Sequence, residues 1–424
     1  MDEKSKNKMK HKIRHDAQRL IASIKWIIFS ILTGLLIGTI GSAFYHCLQF
    51  VTKTRLHFSW LLLFLPLGGL LIVGLYQIFK DENDTGTNLV LSAIHSNERI
   101  PLRMAPLIFI STLITHLFGG SAGREGAALQ IGGSIGGSLG RLFRFNEKDR
   151  HIMIMCGMSA AFTALFGTPM AAAIFSIEVV SVGIMHYSAL VPCVISALVS
   201  SEVSSYFGVT ADTFLLGTLP VFNLKSAGLI ALLAILSALI SILFCILLHQ
   251  SEHLYKKFFK NRYLRVFAGG IFIVLLTLLI GNQDYNGSGI TIIERCIHGE
   301  SVNSFAFVLK MIFTAFTLGA GFKGGEIVPS FFVGATFGYL FSNFCGLSPA
   351  LCTAVGMISV FCGVTNCPIT SLLMSFELFG YEGMPFYLLA VALSYMLSGY
   401  YGLYLNQKII YSKYKTEYIN RKTH

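Results

Sequence analysis

The sequence predicts an all-α polytopic membrane protein built from two related halves, and three observations carry that prediction. Of 424 residues, 54% are hydrophobic and 12% charged, about half the charge of an ordinary soluble domain, and the mean hydropathy is +0.66. Apolar runs long enough to cross a hydrocarbon core of about 30 Å, which takes about 20 residues, recur along the chain. The chain also resembles itself. The stretch GMSAAFTALFGTPMAAAIFSIE over Gly157–Glu178 aligns without a gap with GMISVFCGVTNCPITSLLMSFE over Gly356–Glu377, the mark of a repeated architecture.

Taken in order, the chain opens on a basic stretch with Lys4, Lys6, Lys8, Lys10, Lys12, Arg14 and Arg19, and it closes on Lys408, Lys413, Lys415, Arg421 and Lys422. The positive-inside rule places both termini in the cytoplasm of a multi-pass protein of the plasma (inner) membrane. The basic run is read as a topology signal and not as a nucleic-acid-binding tail. The first apolar run, from Ile24, is too long for a cleaved signal peptide. Spans are predicted at Ile24–Phe50, Leu61–Phe79, Ala189–Phe207, Ala227–Leu248 and Leu264–Ile280, with shorter or glycine-broken ones at Leu102–Phe118, Phe305–Gly319 and Phe386–Leu403. The resulting layout is a basic tail over 1–23, a first membrane repeat over 24–250, a hydrophilic connection over 251–262, a second repeat over 263–411 and a short tail over 412–424.

Nine cysteines are scattered with no CxxC pair, and twelve histidines form no metal-ligating pattern. They read as buried or packed side chains, so neither a metal nor another cofactor is expected. An intramembrane enzyme pairing Glu125 with His116 would need a nucleophile or a metal. No HExxH, GxSxG or paired-aspartate pattern supplies one, so the chain is not read as an enzyme.

The chemistry gathers where charge enters the membrane. FGGSAGREGAALQIGG over Phe118–Gly133 sets Arg124 and Glu125 among glycines, and an ionisable residue at bilayer depth is a functional-site candidate. Gly120–Glu125 (GSAGRE) and Gly321–Glu326 (GFKGGE) share the pattern G-x-x-G-x-E, which makes Glu326 the expected counterpart of Glu125. A helix N-terminus preceded by glycines is a natural anion site, because its unpaired N–H groups can be approached closely. A glutamate there competes with the anion for that position. Burial favours its neutral form and helix-end donors favour its charged form, so such a group is poised to titrate. Repeats of this kind place a site near the membrane midplane between broken helices. For Glu178 and Glu377, a plain helix-end role weighs as much as a functional one.

With these residues in view, the chain resembles the CLC family of chloride channels and proton-coupled anion antiporters, from about Ile24 to Tyr411. The resemblance implies a CLC-type fold of two inverted repeats with many tilted and broken helices, a homodimer with one pore per subunit, and halide and proton transport across the lipid bilayer. It puts the gating, proton-carrying glutamate on Glu125 within Gly123, Arg124, Glu125, Gly126 and Ala127. GGEIVP is similar to the family's GGIFAP motif, which brings Gly325, Ile327 and Val328 to the anion. KIIYS is similar to the pattern holding the pore tyrosine and implies Tyr411. DTGTN at Asp84–Asn88 stands where an inner serine motif is expected, with the serine position on Thr85 beside Gly86, and Thr87 or Asn88 as alternative ligands. GGSAGREG and FKGGE resemble the bacterial fluoride/proton antiporter branch, although that branch tends to have threonine where this chain has Val328. Glu326 is the expected inner proton relay, and the family's own relay position falls near Thr210, with Asp212 two residues on. Arg124 and Lys323 would draw anions to the pore mouths. The alternative to proton-coupled exchange of fluoride or chloride is a passive chloride channel on the same fold.

Overall fold

The computed structural model describes residues 3–81, 85–96 and 98–424, leaving aside the side chains of 3–15, 17 and 18. The basic side chains from Lys4 to Arg14 and Asp84 of the DTGTN stretch lie outside the described residues. Sixteen α-helices are found among those described. The earlier elements are α1 (Glu3–His57), α2 (Leu65–Ile78), α3 (Thr87–His95), α4 (Met104–Leu117), α5 (Glu125–Leu142), α6 (Glu147–Phe166), α7 (Pro169–Glu178) and α8 (Leu190–Tyr206). The later ones are α9 (Leu224–Phe258), α10 (Arg262–Ile280), α11 (Ile290–Ile297), α12 (Ala306–Ala320), α13 (Ile327–Cys345), α14 (Pro349–Thr365), α15 (Pro368–Phe379) and α16 (Met384–Leu397).

Among the described residues, six helices are long and apolar enough to span, over Arg19–His57, Ser59–Ile78, Tyr187–Tyr206, Leu224–Phe258, Arg262–Ile280 and Ile327–Cys345. Five contain or coincide with the long apolar runs expected from the sequence. The expected shorter runs are α4, α12 and α16. The sixth long span is α13, whose glycines and polar residues hid it. It is itself mostly buried inside the protein, so it needs less hydropathy.

Glycines let the central helices touch backbone to backbone. A Cβ on Gly132 or Gly136 would run into the carbonyls of Gly157 and Met153, and one on Gly334 or Gly338 into those of Gly356 and Cys352. The α5/α6 pair and the α13/α14 pair therefore repeat one contact, of the small-residue kind that membrane helices use to approach closely.

Helix ends follow the local sequence. Asn146 caps α6 by accepting from the Asp149 N–H at 2.8 Å, and Gly167 ends it with a left-handed φ of 68°. Proline opens α7 and α15 at Pro169 and Pro368, where its missing N–H costs nothing. These two short helices then cap each other. The Glu178 carboxylate, ending α7, accepts from the N–H groups of Ile369 (3.0 Å) and Thr370 (2.8 Å) and from the Thr370 hydroxyl (2.5 Å). The Glu377 carboxylate, near the end of α15, accepts from the N–H groups of Met170 and Ala171, both at 2.8 Å. The helix-end reading of both glutamates describes what they do. Glu178→Ala orphans two N–H groups and is expected to destabilise the protein by about 2 kcal/mol, read as a lowered melting temperature in detergent.

The expected joint at 251–262 lies mostly inside a helix. α9 continues to Phe258, with Ser251 and Tyr255 buried, and packs on α12, α14 and α16, so it sides with the later elements. The C-terminal residues also differ from a free tail. β1 (Ser181–Val182), β2 (Lys408–Tyr411) and β3 (Tyr418–Lys422) form a sheet in that order, parallel and then antiparallel.

Candidate functional site

Glu125 is the first residue of α5 and Ile327 the first of α13. The two helix starts meet because Gly123 and Gly325 pair across an antiparallel bridge, Gly123 N–H to Gly325 O at 2.7 Å and the reverse at 2.9 Å. Two N-termini, each with unpaired N–H groups and about half a positive charge, thus face one point.

The Glu125 carboxylate occupies that point. Oε1 accepts from the Val328 N–H at 2.8 Å and Oε2 from the Arg124 N–H at 2.7 Å, and the residue is fully buried. Its oxygens stand where an anion would take the same donors. Glycine is required on both sides. A Cβ at Gly325 would fall 2.6 Å from Oε1, and one at Gly126 would fall 3.0 Å from the Gly325 Cα. Ala127 is buried in the same first turn of α5.

The loop before Glu125 is pinned by the later half. The Gly119 carbonyl accepts from Asn286 Nδ2 at 2.7 Å, the Gly120 carbonyl from the Gly287 N–H at 3.0 Å, and the Thr317 hydroxyl oxygen from the Ser121 N–H at 3.1 Å. His116 Nε2 lies 3.2 Å from the Gly123 carbonyl, which makes it a packed residue that steadies the loop.

Arg124 serves through its backbone. Its guanidinium lies between the rings of Tyr45 and Phe166, 5.4 and 5.3 Å from their centroids, and ion-pairs with Asp212 at 2.5 Å. With its side chain 8% exposed, it is not the open charge at a pore mouth that the sequence suggested. Asp212 is the counter-ion of Arg124, and Thr210 faces Tyr45, hydroxyl to hydroxyl, at 3.3 Å. Asp212→Asn leaves the arginine charge unpaired. The expected cost is about 3 kcal/mol, read as a lower melting temperature that Arg124→Gln/Asp212→Asn partly recovers.

Glu326 is displaced by one position from its expected counterpart. The bridge pairs Gly123 with Gly325, and α5 and α13 start two residues beyond, so Ile327 matches Glu125 and Glu326 matches Arg124. Both Arg124 and Glu326 are N-caps with like backbone angles, φ −114° and −102°. The matching pattern G-x-x-G-x-E was a coincidence of one register. Glu326 still points into the protein: its Oε2 is buried without a hydrogen-bond partner, and its charge is in Coulombic reach of Glu125, Glu252 and Lys323. The Lys323 ammonium lies 4.3 Å from the Tyr76 ring centroid.

Thr87 of the DTGTN stretch reaches the start of α5. It is the first residue of α3, after Gly86 with φ 63°, and its hydroxyl sits 3.5 Å from the Gly126 carbonyl and 3.4 Å from Gln130 Nε2. Thr85 is exposed. Asn88 is occupied elsewhere, its Oδ1 accepting from the Asn406 N–H at 3.0 Å.

The tyrosine assignment changes. Tyr411 lies at the outer end of β2, 48% exposed, and meets the Tyr418 ring edge-on with centroids 5.8 Å apart. Ile409 and Ile410 are both buried, and the register shifts between Ile409 and Tyr411, which breaks the strand alternation and leaves Tyr411 outward. Tyr404, missed in the sequence, is buried at 2% exposure, its hydroxyl has no hydrogen-bond partner, and it lies within Coulombic reach of both Glu326 and Glu125. Lys310 was missed as well. It is fully buried, donates to the carbonyls of Tyr285 (3.1 Å) and Gly287 (2.6 Å), and has Glu125 within Coulombic reach. A lone lysine inside FAFVLKMIFTAF was its legible signal.

Known proteins resemble this chain in sequence and in fold. Residues 68–399 match the family model described as voltage gated chloride channel. A chloride/fluoride channel protein of Pseudomonas syringae pv. tomato is 35% identical over 92% of this chain and 88% of its own length. The H(+)/Cl(-) exchange transporter ClcA of Vibrio cholerae is 26% identical over 83% of this chain and 81% of its own. Among solved structures, a CLC-type fluoride/proton antiporter superposes with a TM-score of 0.88 at 32% identity, covering 91% of this chain and 98% of its own. A slow cyanobacterial Cl-/H+ antiporter reaches 0.75 at 19% identity over 88% of this chain and 94% of its own, a likeness of fold.

Proposed function

Since this chain belongs to the voltage gated chloride channel family, we propose that it exchanges halide ions for protons across the bilayer, with fluoride the preferred halide. The observation that carries the reading is the Glu125 carboxylate, buried on the Val328 and Arg124 N–H groups at the meeting of two helix N-termini. An entering anion competes for those donors. A carboxyl that takes a proton gives them up, so one group both gates the path and carries the proton. Fluoride is supported by two relatives above 30% identity, a chloride/fluoride channel protein at 35% and a CLC-type fluoride/proton antiporter at 32%.

In this reading Glu125 is the gate, while Gly123, Gly126, Gly325, Ile327 and Val328 form the anion position with the Arg124 N–H. Thr87 and the Tyr404 hydroxyl line its approach, and Lys310 supplies a buried positive charge. Glu326, with its unpartnered oxygen, is the inner relay. Glu326→Gln is expected to slow coupled proton uptake about tenfold while leaving halide flux in place, checked by recording both fluxes in one liposome preparation. A fall of both together would make Glu326 a structural carboxylate.

The protein is a multi-pass membrane protein, and we place it in the inner membrane with both termini cytoplasmic, as a transporter and not an enzyme. A homodimer is supported by the lipid-facing surface of α8, α15 and α16. There Leu198, Ile369 and Leu388 are each about half exposed, and Glu377 of α15 is incompletely buried. A carboxylate at that depth is expensive unless covered, and a second copy covers it.

The test is proton uptake into liposomes holding the purified protein under fluoride and then chloride gradients. Uphill proton movement with fluoride supports the proposal. Halide flux without protons would make the protein a passive channel, and equal coupling to chloride would remove the fluoride preference.

A further inference from the structure

Away from the gate, the end of α5 carries charge that transport does not use. The turn before α4, the last turns of α5 and the first turns of α6 wall a cleft. Arg99, Arg141, Arg150 and His151 line it, against one carboxylate, Glu98. Among the described residues, no carboxylate lies within ion-pair distance of any of the three arginines.

The cleft is built and not a chance meeting of surface side chains. Arg141 Nη2 donates to the Ile100 carbonyl at 2.8 Å and to the Ser138 hydroxyl at 2.7 Å, which fixes its fork. Glycine at 140 lets Arg150 pack close on α5, since a Cβ there would stand 3.0 Å from the Arg150 Cγ. Arg99 and Arg150 both act on the charge of Arg141, and Arg150 on that of His151. Like charges held together with one counter-charge repel, and a polyvalent anion relieves that cost.

Position narrows the ligand. Lys25 of α1 pairs with Asp149 at 2.6 Å, and Trp26 and Phe29 pack on Phe143 and Phe145. This aromatic belt with its lysine marks the headgroup level of the membrane, on the side where α1 begins. Leu142 beside it is 71% exposed. Arginine forks match the oxygens of phosphate.

We propose that this cleft binds a phosphate group, presented either by an anionic phospholipid headgroup or by a free phosphate. Such a ligand joins the α3–α4 turn to α5 and α6, and so braces α3, whose other end carries Thr87. The proposal is independent of the transport reading.

The test uses the full chain in neutral detergent, with retention of phosphatidic acid against phosphatidylcholine read by native mass spectrometry and orthophosphate binding read with the radiolabelled ion. Arg99→Gln and Arg150→Gln are each expected to weaken retention roughly tenfold. Arg144→Gln, at an exposed arginine of the α5–α6 turn outside the cleft, is expected to stay within about twofold. Arg99 is itself exposed, so its variant separates loss of binding from loss of fold. Phosphatidic acid retained without orthophosphate supports the proposal with the lipid as source, and orthophosphate alone supports it with the free ion. Retention of neither, or an equal loss in Arg144→Gln, overturns it.

Discussion

In Glu125→Gln, proton uptake driven by a fluoride gradient is expected to fall at least about a hundredfold, the scale of losing a positioned proton carrier, while passive halide flux persists. Glutamine keeps the shape but cannot exchange a proton. It also cannot serve both donors. Its single side-chain oxygen satisfies either the Val328 N–H or the Arg124 N–H, which now receive Oε1 and Oε2. The other N–H faces an NH2 group, and an unsatisfied buried donor costs about 1–3 kcal/mol. The side chain is therefore held less firmly and the anion competes better. Recording pH and fluoride together in liposomes decides the matter: uphill proton movement surviving in this variant would take the proton role away from Glu125.

Gly325→Ala is expected to remove coupling about as thoroughly, by geometry alone. The new Cβ would stand 2.6 Å from Oε1 of Glu125 and 2.5 Å from the Gly126 N, closer than unbonded atoms allow. Either the carboxylate leaves its donors or the α13 start retreats by about 1 Å and breaks the Gly123–Gly325 bridge. A misplacement of that size costs about a hundredfold at a site that depends on alignment. Gly74→Ala is the control, since its nearest atom, the Tyr263 hydroxyl oxygen, would lie 3.9 Å away. Coupled uptake in Gly325→Ala comparable to that of Gly74→Ala would refute the account of the gate.

The legible part of the fold was the part that meets lipid or repeats. Long apolar runs announced α1, α2, α8, α9 and α10, because lipid contact demands hydropathy. Glycines and prolines announced the duplicated α6–α7 and α14–α15 elements. α5 and α13 were less legible as spans, since both are enclosed by protein and composition need not declare them. At the site, Glu125, Gly325 and Val328 were readable because a motif on one continuous stretch dictates backbone geometry. Three readings failed for local reasons. Glu326 was matched to Glu125 by letters and not by helix starts. Tyr411 was chosen by a short pattern, although the strand turns it outward. Arg124 was given an open role because its partner Asp212 lies far along the chain. Tyr404 had no signal at all, since nothing in GYYGLYL separates one tyrosine from the others.

The mutual capping of α7 and α15 has a consequence for how the protein is made. A ribosome releases α7 into the membrane well before Glu377 exists, so the N–H groups of Met170 and Ala171 spend that interval without their acceptor in a medium that offers none. α7 therefore has reason to stay with the insertion machinery, or near water, until α15 emerges, and the two helices settle as one event. The first half by itself is an unfinished substrate for quality control, and a stop codon placed between the halves would yield a chain marked for degradation and not half a transporter.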